Sequence, residues 1–210
     1  MLLDGWQKRW KRMQQYQSID GSSKAPLGKP CIAFYKYDGS NLRWEWSPKQ
    51  GWHKFGTRHQ LFDASDPVYG KAIPIFMGMG DEIVRRVKDV ERGIQRITAF
   101  TEFFGPGSFA GQHVEGDTME LRLFDAFLFK RGLMAPGAFV KAFGDLPYAA
   151  EVVYRGNLNQ QFIADVRMGK YPVVEGVVAK GEDFMVKIKT NAYFAKLNEV
   201  YGTQYRQYWE

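Results

Sequence analysis

The chain has 210 residues, 45% hydrophobic and 25% charged, a balance typical of a folded protein rather than a disordered segment. Lysine and arginine outnumber aspartate and glutamate by 29 to 23, and the net charge of +6 favours a polyanionic partner such as nucleic acid. No apolar run is long enough to predict a membrane span, and no signal-peptide pattern opens the chain. The single cysteine, Cys31, excludes an internal disulfide and a cysteine-rich zinc site. We therefore expect a cytoplasmic, one-domain globular protein of 210 residues.

Hydrophobic and turn patterns predict a hairpin early in the chain. Ser18–Pro30 is rich in Ser, Gly and Pro, which predicts an irregular approach to the core within a lead-in of residues 1–29. Cys31–Tyr37 is an apolar, aromatic run that predicts a buried strand. Asn41–Trp46 and Trp52–Phe55 predict two further strands, joined by a turn, since they flank a Ser-Pro-Lys-Gln-Gly segment.

The most regular helical pattern covers Asp81–Ile97. Its apolar residues recur at spacings of four, three, four and three, which places them on one helical face: Ile83, Val87, Val90, Ile94 and Ile97. Asp81 and Glu82 would stand at the beginning, where carboxylates complement the helix dipole. The segment also carries five basic residues, for which we favour a solvated outer face over a nucleic-acid interface: Arg85, Arg86, Lys88, Arg92 and Arg96.

The second half of the chain mixes strands and helices. Four strands are predicted, at Thr98–Phe104, Leu121–Phe129, Val173–Lys180 and Phe184–Lys189. Three shorter helices are predicted, at Gly137–Phe143, Asn157–Met168 and Asn191–Tyr201, the last opening a tail of residues 190–210. The order lacks a regular βαβ alternation, so we expect an α+β domain of twisted antiparallel sheets with flanking helices. Neither GxGxxG nor GxxxxGK[ST] is present, which excludes the two commonest nucleotide-binding signatures.

A lysine ends the first predicted strand and is followed at once by a glycine turn, in Lys36-Tyr37-Asp38-Gly39. Next to other cations, or in a desolvated pocket, the pKa of such a lysine falls and the neutral amine becomes a nucleophile. Gly39 would allow the backbone to approach a phosphate closely. Taken alone, however, the pattern favours an ordinary strand followed by a turn.

Further isolated charges interrupt the apolar strands. Glu102, Asp125 and Glu175 each stand among apolar residues. Lys187 and Lys189 fall on one face of their strand, because side chains alternate with a period of two. Since a buried charge needs a partner, a shared ligand is a simple explanation for the whole set. A triphosphate with its metal ions would provide such partners.

In this order, the charged residues resemble the motifs of the covalent nucleotidyltransferase superfamily, which includes DNA ligases, RNA ligases and mRNA-capping enzymes. The matching segments span about residues 30–190 and comprise Lys36–Gly39 for motif I, Glu102 for motif III, Phe124-Asp125 for motif IIIa, Glu175-Gly176 for motif IV and Lys187–Lys189 for motif V. The resemblance implies an ATP-grasp-like nucleotidyltransferase (adenylation) domain of the α+β class.

The resemblance also implies a role for each matching residue. Lys36 would attack the α-phosphate of ATP, forming a covalent lysyl-AMP and releasing pyrophosphate. Lys187 and Lys189 would stabilise the charge that develops on this phosphate, and their proximity would lower the pKa of Lys36. Glu175 would bind a divalent metal ion, Mg²⁺ or Mn²⁺, directly or through water.

The remaining matching residues would hold the nucleoside. Glu102 would bind the ribose hydroxyls, Phe124 would stack on adenine, and Asp125 would order the pocket. Nucleotide contacts are also expected from the motif I turn and from one arginine after the hairpin: Asp38, Gly39, Asn41 and Arg58. An ordinary surface arginine remains an alternative interpretation of Arg58.

Two features favour the RNA ligase branch of the superfamily. DNA ligases and capping enzymes resemble KxDGxR, whereas this chain has Asn41 in place of the arginine, although Arg43 is near. Only 21 residues follow Lys189, too few for an OB-fold, so none is expected. The 35 residues before Lys36 are too few for the extra domain of NAD-dependent ligases, so ATP is the expected donor.

These features predict an ATP-dependent RNA ligase that transfers AMP to an RNA 5′-phosphate and then seals this end to a 3′-hydroxyl, as in RNA repair. A minimal ATP-dependent DNA ligase and a nucleotide- or RNA-binding protein without turnover are the alternatives. We expect a monomer without membrane contact that uses RNA ends with a 5′-phosphate and a 3′-hydroxyl. A phage or microbial origin and a separate nucleic-acid-binding chain are left open.

Both ends of the sequence carry aromatic residues beside charges. The first interleaves aromatic and basic residues, as single-strand-binding surfaces do: Trp6, Lys8, Arg9, Trp10, Lys11, Arg12, Met13 and Tyr16. Trp6, Trp10 and Met13 also recur at four and three, and we favour a helical face packed on the domain. The segment Tyr201–Glu210 is open to the same two interpretations.

Overall fold

The computed structural model describes residues 13–202. These residues form eleven strands: β1 Asp20–Gly21, β2 Pro30–Lys36, β3 Ser40–Ser47, β4 Gly51–Thr57, β5 Leu61–Phe62, β6 Ile97–Phe104, β7 Glu120–Leu128, β8 Gly132–Leu133, β9 Val152–Asn157, β10 Gly176–Lys180 and β11 Met185–Lys189. They also form four α-helices: α1 Ala72–Val90, α2 Pro136–Phe143, α3 Gln160–Arg167 and α4 Asn191–Tyr201. The α+β class expected from the sequence is confirmed.

The first sheet has the order β1-β11-β10-β2-β9, and its pairs are antiparallel except for β1 beside β11. Gly176 of β10 lies opposite Lys36 of β2 on one side and opposite Lys189 of β11 on the other. Residues that pair directly point to the same face of a sheet. This register therefore places Lys36 and Lys189 on one face, separated only by a glycine.

Glycine at position 176 is required by this close approach. Its backbone has φ of 151°, and an added Cβ would collide with the carbonyl oxygen of Ile188 in the neighbouring strand. The same position lies between the two lysines, so it keeps the space between their side chains open. Both the close approach of the neighbouring strand and the space between the two lysines therefore require glycine at position 176.

The second sheet has the order β5-β4-β3-β6-β7-β8, and all of its pairs are antiparallel. Helices α1 and α2 contribute to the large core beside it, in which Trp44 of β3 stacks on Phe76 of α1 at a ring distance of 4.0 Å. Helix α3 packs on the first sheet over a smaller core that includes Phe162 and Val166. Phe34 of β2 belongs to the larger core and Ala33 to the smaller, as the alternation of a strand requires.

The long helix begins and ends earlier than the sequence pattern predicts. Helix α1 runs from Ala72 to Val90, so Asp81 and Glu82 lie in its interior rather than at its beginning. Pro74 is tolerated because it lies in the first turn, where its missing N–H would have no partner. Gly93, with φ of 71°, follows the helix, and the apolar spacing continues into the loop and into β6 without helical backbone. Ile94 and Ile97 are buried there all the same.

Of the five basic residues predicted for this helix, Lys88 lies within it, over the ring of Trp46, and the four arginines divide into two groups. Arg85 and Arg86 both pair with Glu82 at the helix surface, and Arg86 also binds Asp145 at 2.7 Å. This pairing agrees with a solvated outer face. Arg92 and Arg96 lie beyond the last helical residue, so they are not part of that face.

Other boundaries differ where polar residues end or begin an element. Strand β10 begins only at Gly176, after the exposed Val174. Helix α3 begins at Gln160, because the side chain of Asn159 caps it by accepting a hydrogen bond from the Phe162 N–H at 2.8 Å. The structure also adds β9, and β1 with a 3₁₀ turn at Ser22–Lys24 inside the segment expected to be irregular.

The terminal aromatic residues are only partly described. Trp6 and Trp10 of the predicted amino-terminal face lie outside the described residues, as do Tyr205, Tyr208 and Trp209. Met13 and Tyr16 are buried, with 3% and 7% of their surface exposed, and Tyr16 contributes to the site below. None of the described helices has the length and the apolar character that a bilayer crossing requires.

Candidate active site

A cavity of about 350 Å³ lies between the two sheets. Its walls include ten of the eleven residues that the motifs single out: Lys36, Asp38, Gly39, Asn41, Arg58, Glu102, Phe124, Glu175, Lys187 and Lys189. Asp125, the remaining one, lies directly behind the wall, 2% exposed. The sequence-predicted site residues therefore converge on one cavity, although they come from five strands and the turns beside them.

Glu175 joins two of the lysines. Its Oε2 lies 2.8 Å from Nζ of Lys36 and its Oε1 lies 3.1 Å from Nζ of Lys189. Glu175 is 2% exposed, so both of these charge-assisted contacts are shielded from solvent. It immediately precedes Gly176, and this position in the register places its carboxylate between the two lysines.

The pKa of Lys36 is raised, whereas the sequence predicts that neighbouring lysines lower it. Burial alone would lower the pKa of Lys36, but the nearby carboxylates of Glu175 and Glu102 outweigh this effect. The lowered values belong instead to Lys187 and Lys189, where desolvation is the main cause and the charge of Lys36 adds to it. Lys36 is thus an ammonium group in this arrangement, and it must lose its proton before it can act as a nucleophile.

The turn after Lys36 is held by Asp38. Its carboxylate accepts hydrogen bonds from the N–H groups of Ala110 at 2.9 Å and Gly111 at 3.3 Å, and from the hydroxyl of Tyr193. The next residue, Gly39, lies against β6, where an added Cβ would collide with the carbonyl oxygen of Phe103. These contacts fix the turn between Lys36 and β3.

Glu102 lies on β6 directly opposite Asn41 of β3. Its carboxylate accepts a hydrogen bond from the N–H of Gly39, and it faces Lys36 across the cavity. Burial raises the pKa of Glu102 to about 7, against the lowering effect of Lys36. At neutral pH this side chain can therefore both donate and accept hydrogen bonds.

The opposite end of the cavity is aromatic and contains a buried ion pair. Phe124 and Tyr16 meet edge to face at a ring distance of 5.0 Å. Nζ of Lys180 lies 2.8 Å from Oδ2 of Asp125 and donates to the carbonyl oxygen of Phe124, and the Tyr16 hydroxyl donates to the same Asp125 carboxylate. Asp125 therefore anchors Phe124 from behind rather than lining the cavity itself.

Two residues of the site, Lys180 and Tyr193, were not singled out from the sequence, and Tyr16 was named only as part of the aromatic and basic amino-terminal segment. Lys180 carries the same signal as Lys36, a lysine at the end of an apolar strand, and could have been found by it. Tyr193 and Tyr16 carry no comparable signal, because their hydroxyls acquire partners only through contacts across the fold.

The lysine and arginine at the cavity rim have few partners. Arg58 follows β4 and is exposed, so it lines the cavity from its edge. Lys187, on the same face of β11 as Lys189, makes no ion pair within residues 13–202. Both cations are thus available to an anionic ligand.

The donor set limits how a metal ion could bind. Among residues 13–202, no group of three or more His, Cys, Asp or Glu side chains is arranged to hold one. Glu175 by itself suits Mg²⁺ or Mn²⁺, which are commonly bound through one or two carboxylates, water and substrate phosphates. The residues present therefore fit a metal ion that arrives with a nucleotide, with Glu175 as its protein ligand.

Comparison with known proteins gives a match at the level of structure. No family model matches the sequence, and no curated protein is significantly similar to it. An RNA ligase variant from Naegleria gruberi with AMP and Mn superposes with a TM-score of 0.60 at 16% identity, over 88% of this chain and 58% of that one. The same ligase with pyrophosphate gives 0.62 at 18% identity, over 89% and 58%.

The chain thus spans less than two thirds of the length of the ligase chains that it matches. It shares the fold of these RNA ligase structures. This finding confirms the RNA-ligase-type fold that the resemblance implies.

Proposed function

We propose that the protein is an ATP-dependent RNA ligase that forms a covalent AMP adduct on Lys36. The observation that carries the proposal is the contact between Lys36 and Glu175 beside Lys187 and Lys189, in a cavity that also contains Glu102. Structures of the Naegleria ligase were obtained with ATP and Mn, with AMP and Mn, and with pyrophosphate. These ligands suit the charges in the cavity of the present chain.

In the proposed first step, the neutral amine of Lys36 attacks the α-phosphorus of ATP. A nitrogen–phosphorus bond forms, the bond from the α-phosphorus to the bridging oxygen breaks, pyrophosphate leaves with the electron pair, and the nitrogen releases one proton to solvent. Lys187 and Lys189 stabilise the negative charge on the α-phosphate, and such preorganised contacts are worth most when they are shielded from water. A divalent metal ion on Glu175 would neutralise phosphate charge.

Because its pKa is raised, Lys36 must lose its proton before it can attack the nucleotide. While Glu175 binds Lys36, the amine stays protonated. If Glu175 held a divalent metal ion, its ion pair with Lys36 would weaken, and the neighbouring Lys189 would then favour the neutral amine of Lys36. We therefore propose that nucleotide and metal binding, rather than the empty site, lower the pKa of Lys36.

The nucleoside would occupy the aromatic end of the cavity. Phe124 offers a ring for stacking on adenine, positioned by the Lys180–Asp125 pair behind it. Glu102 faces the same space and is able to bind ribose hydroxyls. Asp38 and Asn41 would position the nucleotide near the turn, and Arg58 would contact phosphate at the rim.

Covalent labelling tests the first step. Incubation with α-labelled ATP and magnesium should label the wild-type protein, while the Lys36→Ala variant loses the label and stays folded. Glu175→Ala and Lys187→Ala should each reduce labelling roughly 100- to 1000-fold, the usual effect of losing one such electrostatic contact. Lys49→Ala, which removes an exposed lysine from the hairpin turn, is the matched control. Label that persists in Lys36→Ala would show that the nucleophile is another residue.

Joining assays test the substrate. In the later steps the AMP would pass to an RNA 5′-phosphate, and the 3′-hydroxyl of a second end would displace it. We expect RNA ends to be sealed in preference to DNA ends, because the 2′-hydroxyl gives a site the means to distinguish them. Nicked and single-stranded RNA and DNA are compared at low salt. Equal or better sealing of nicked DNA would replace this assignment by the DNA ligase alternative.

A further inference from the structure

A second, smaller cavity of about 140 Å³ adjoins the candidate active site. Lys187 and Lys189 line both cavities, so the two spaces meet at these side chains. The far wall of the smaller cavity is formed by Ser22, Ser23 and Arg167, with Phe194 at its side. An occupant of this space would therefore lie next to whatever occupies the position beside Lys36.

The fold builds this cavity from β1 and the turn after it, β11, α3 and α4. The short strand β1 pairs in parallel with β11, with Gly21 opposite Lys187, and so places the following turn at Ser22–Lys24 beside the lysines. Helix α3 ends at Arg167, whose guanidinium donates to Oγ of Ser22 at 2.9 Å. None of these elements belongs to the motifs that define the candidate active site, apart from Lys187 and Lys189 themselves.

The lining of the smaller cavity is cationic. It contains three basic side chains and two serine hydroxyls, and no carboxylate among the described residues that line it. Within residues 13–202, Arg167 has a neutral serine as its partner, in contrast to Arg85 and Arg86, which bind carboxylates. Of the two carboxylates whose charges act on Lys187, Glu175 is engaged by Lys36 and Lys189, and Asp20 by Lys24.

Desolvation and the charge of Lys36 lower the pKa of Lys187, despite the opposing influence of Glu175 and Asp20. An anion bound between Lys187 and Arg167 would offset the repulsion that Lys36 exerts on Lys187. A guanidinium and hydroxyl groups form the usual recognition set for phosphate oxygens, since the planar fork of arginine can donate two parallel hydrogen bonds.

We propose that this second cavity binds a phosphate group adjacent to the phosphate at Lys36, with Arg167 as its specific ligand. The inference rests on the proposed function, which places the α-phosphate of ATP beside Lys36. Two sources of the same chemistry fit the position: the terminal phosphates of ATP, which leave as pyrophosphate, and the 5′-phosphate of an acceptor RNA.

Direct binding tests the proposal without requiring catalysis. Titration calorimetry without ATP measures the affinity of the wild-type protein for inorganic pyrophosphate, and for a short RNA with a 5′-phosphate or a 5′-hydroxyl. Arg167→Ala should weaken binding of pyrophosphate, or of the 5′-phosphorylated RNA alone, by about tenfold or more. Arg167→Lys should restore part of the loss, since it keeps the charge but not the fork. Lys24→Ala is the matched control, because Lys24 belongs to the same turn but does not line the cavity.

Comparing pyrophosphate with 5′-phosphorylated RNA shows whether the bound phosphate comes from ATP or from the acceptor RNA. Loss confined to pyrophosphate assigns the cavity to ATP, and Arg167→Ala then raises the KM for ATP in adenylation. Loss confined to 5′-phosphorylated RNA assigns it to the acceptor end. The proposal is overturned if Arg167→Ala binds both ligands within about twofold of wild type, if the wild type binds neither, or if Lys24→Ala loses as much affinity as Arg167→Ala. A protein that binds phosphate here but does not adenylate itself would contradict the proposed function alone.

Discussion

Burial raises the pKa of the Glu102 carboxyl group to about 7. The charges of Lys36, Glu175 and Asp38 also act on this group. In an unfolded chain a glutamate titrates near pH 4.3. Between these two values the folded state holds a proton that the unfolded state has lost, so stability contributed by this group falls as the pH rises through this window. At neutral pH, the buried carboxyl group beside Lys36 therefore lowers the free energy of unfolding.

Replacement of Glu102 by glutamine removes this titration while keeping the shape of the side chain. Relative to wild type, Glu102→Gln should gain roughly 1–3 kcal/mol of unfolding free energy between about pH 5 and pH 8, since one pKa unit corresponds to about 1.4 kcal/mol. Urea denaturation at the two pH values measures the difference. The exposed Glu199→Gln is the matched control. A difference between Glu102→Gln and wild type that stays constant with pH would contradict the raised pKa.

At the residue scale, the sequence predicts the charged side chains of the site better than their contacts. Lys36, Glu102 and Glu175 stand out because a charge in an apolar strand calls for a partner, and all three line one cavity. The direction of the Lys36 pKa shift could not be predicted, since it depends on which of its neighbours lies closest. Likewise, nothing in the sequence near Tyr193 indicates that its hydroxyl binds Asp38.

Among the elements, α1 shows why a helix boundary is hard to place from a sequence. Its first half contains Pro74, Gly78 and Gly80, which disfavour a helix by propensity, yet tertiary packing forms one there. Gly80 has a local reason: an added Cβ would come within 2.6 Å of Nε1 of Trp52, whereas nothing lies within 4 Å of one at Gly78. The two glycines of one helix therefore have different roles.

Alanine at these two positions should have opposite effects. Gly80→Ala should lower the free energy of unfolding by about 1–3 kcal/mol, because the new methyl group overpacks the contact with Trp52. Gly78→Ala should raise it by about 0.5–1 kcal/mol through helix propensity alone. Chemical denaturation of both variants provides the measurement, each serving as the control of the other. Equal effects would mean that Gly80 does not pack closely on Trp52.

For the remaining elements, the accuracy of the prediction depends on how distinctive the local sequence is. Helix α4 has the predicted bounds, since Thr190 caps its beginning and Gly202, with φ of 64°, ends it. Strand β9 was missed because Arg155, Gly156 and Asn157 are exposed and polar, as suits the edge of the first sheet. This segment becomes a strand because it pairs with β2 in the folded protein, and its own residues do not indicate that pairing.

For the molecule as a whole, the charge of +6 should govern how tightly the proposed RNA substrate binds. If about four phosphates of a single strand are contacted, raising the salt from about 50 to 200 mM should weaken binding roughly 50-fold. Fluorescence anisotropy with a labelled, 5′-phosphorylated RNA measures the slope, and sodium chloride is varied at constant pH. Affinity that is independent of salt would show that RNA is not held through its phosphates.

The pairing of Lys36 with Glu175 spans 139 positions of the chain, and Lys189 lies further along still. Translation therefore delivers Lys36 long before the strands that complete its surroundings. A nascent chain stalled before β11 has Lys36 but neither Lys187 nor Lys189, and the same holds for the amino-terminal fragment of a chain cut between β2 and β10. Under the proposed function, such incomplete chains are expected not to react with ATP.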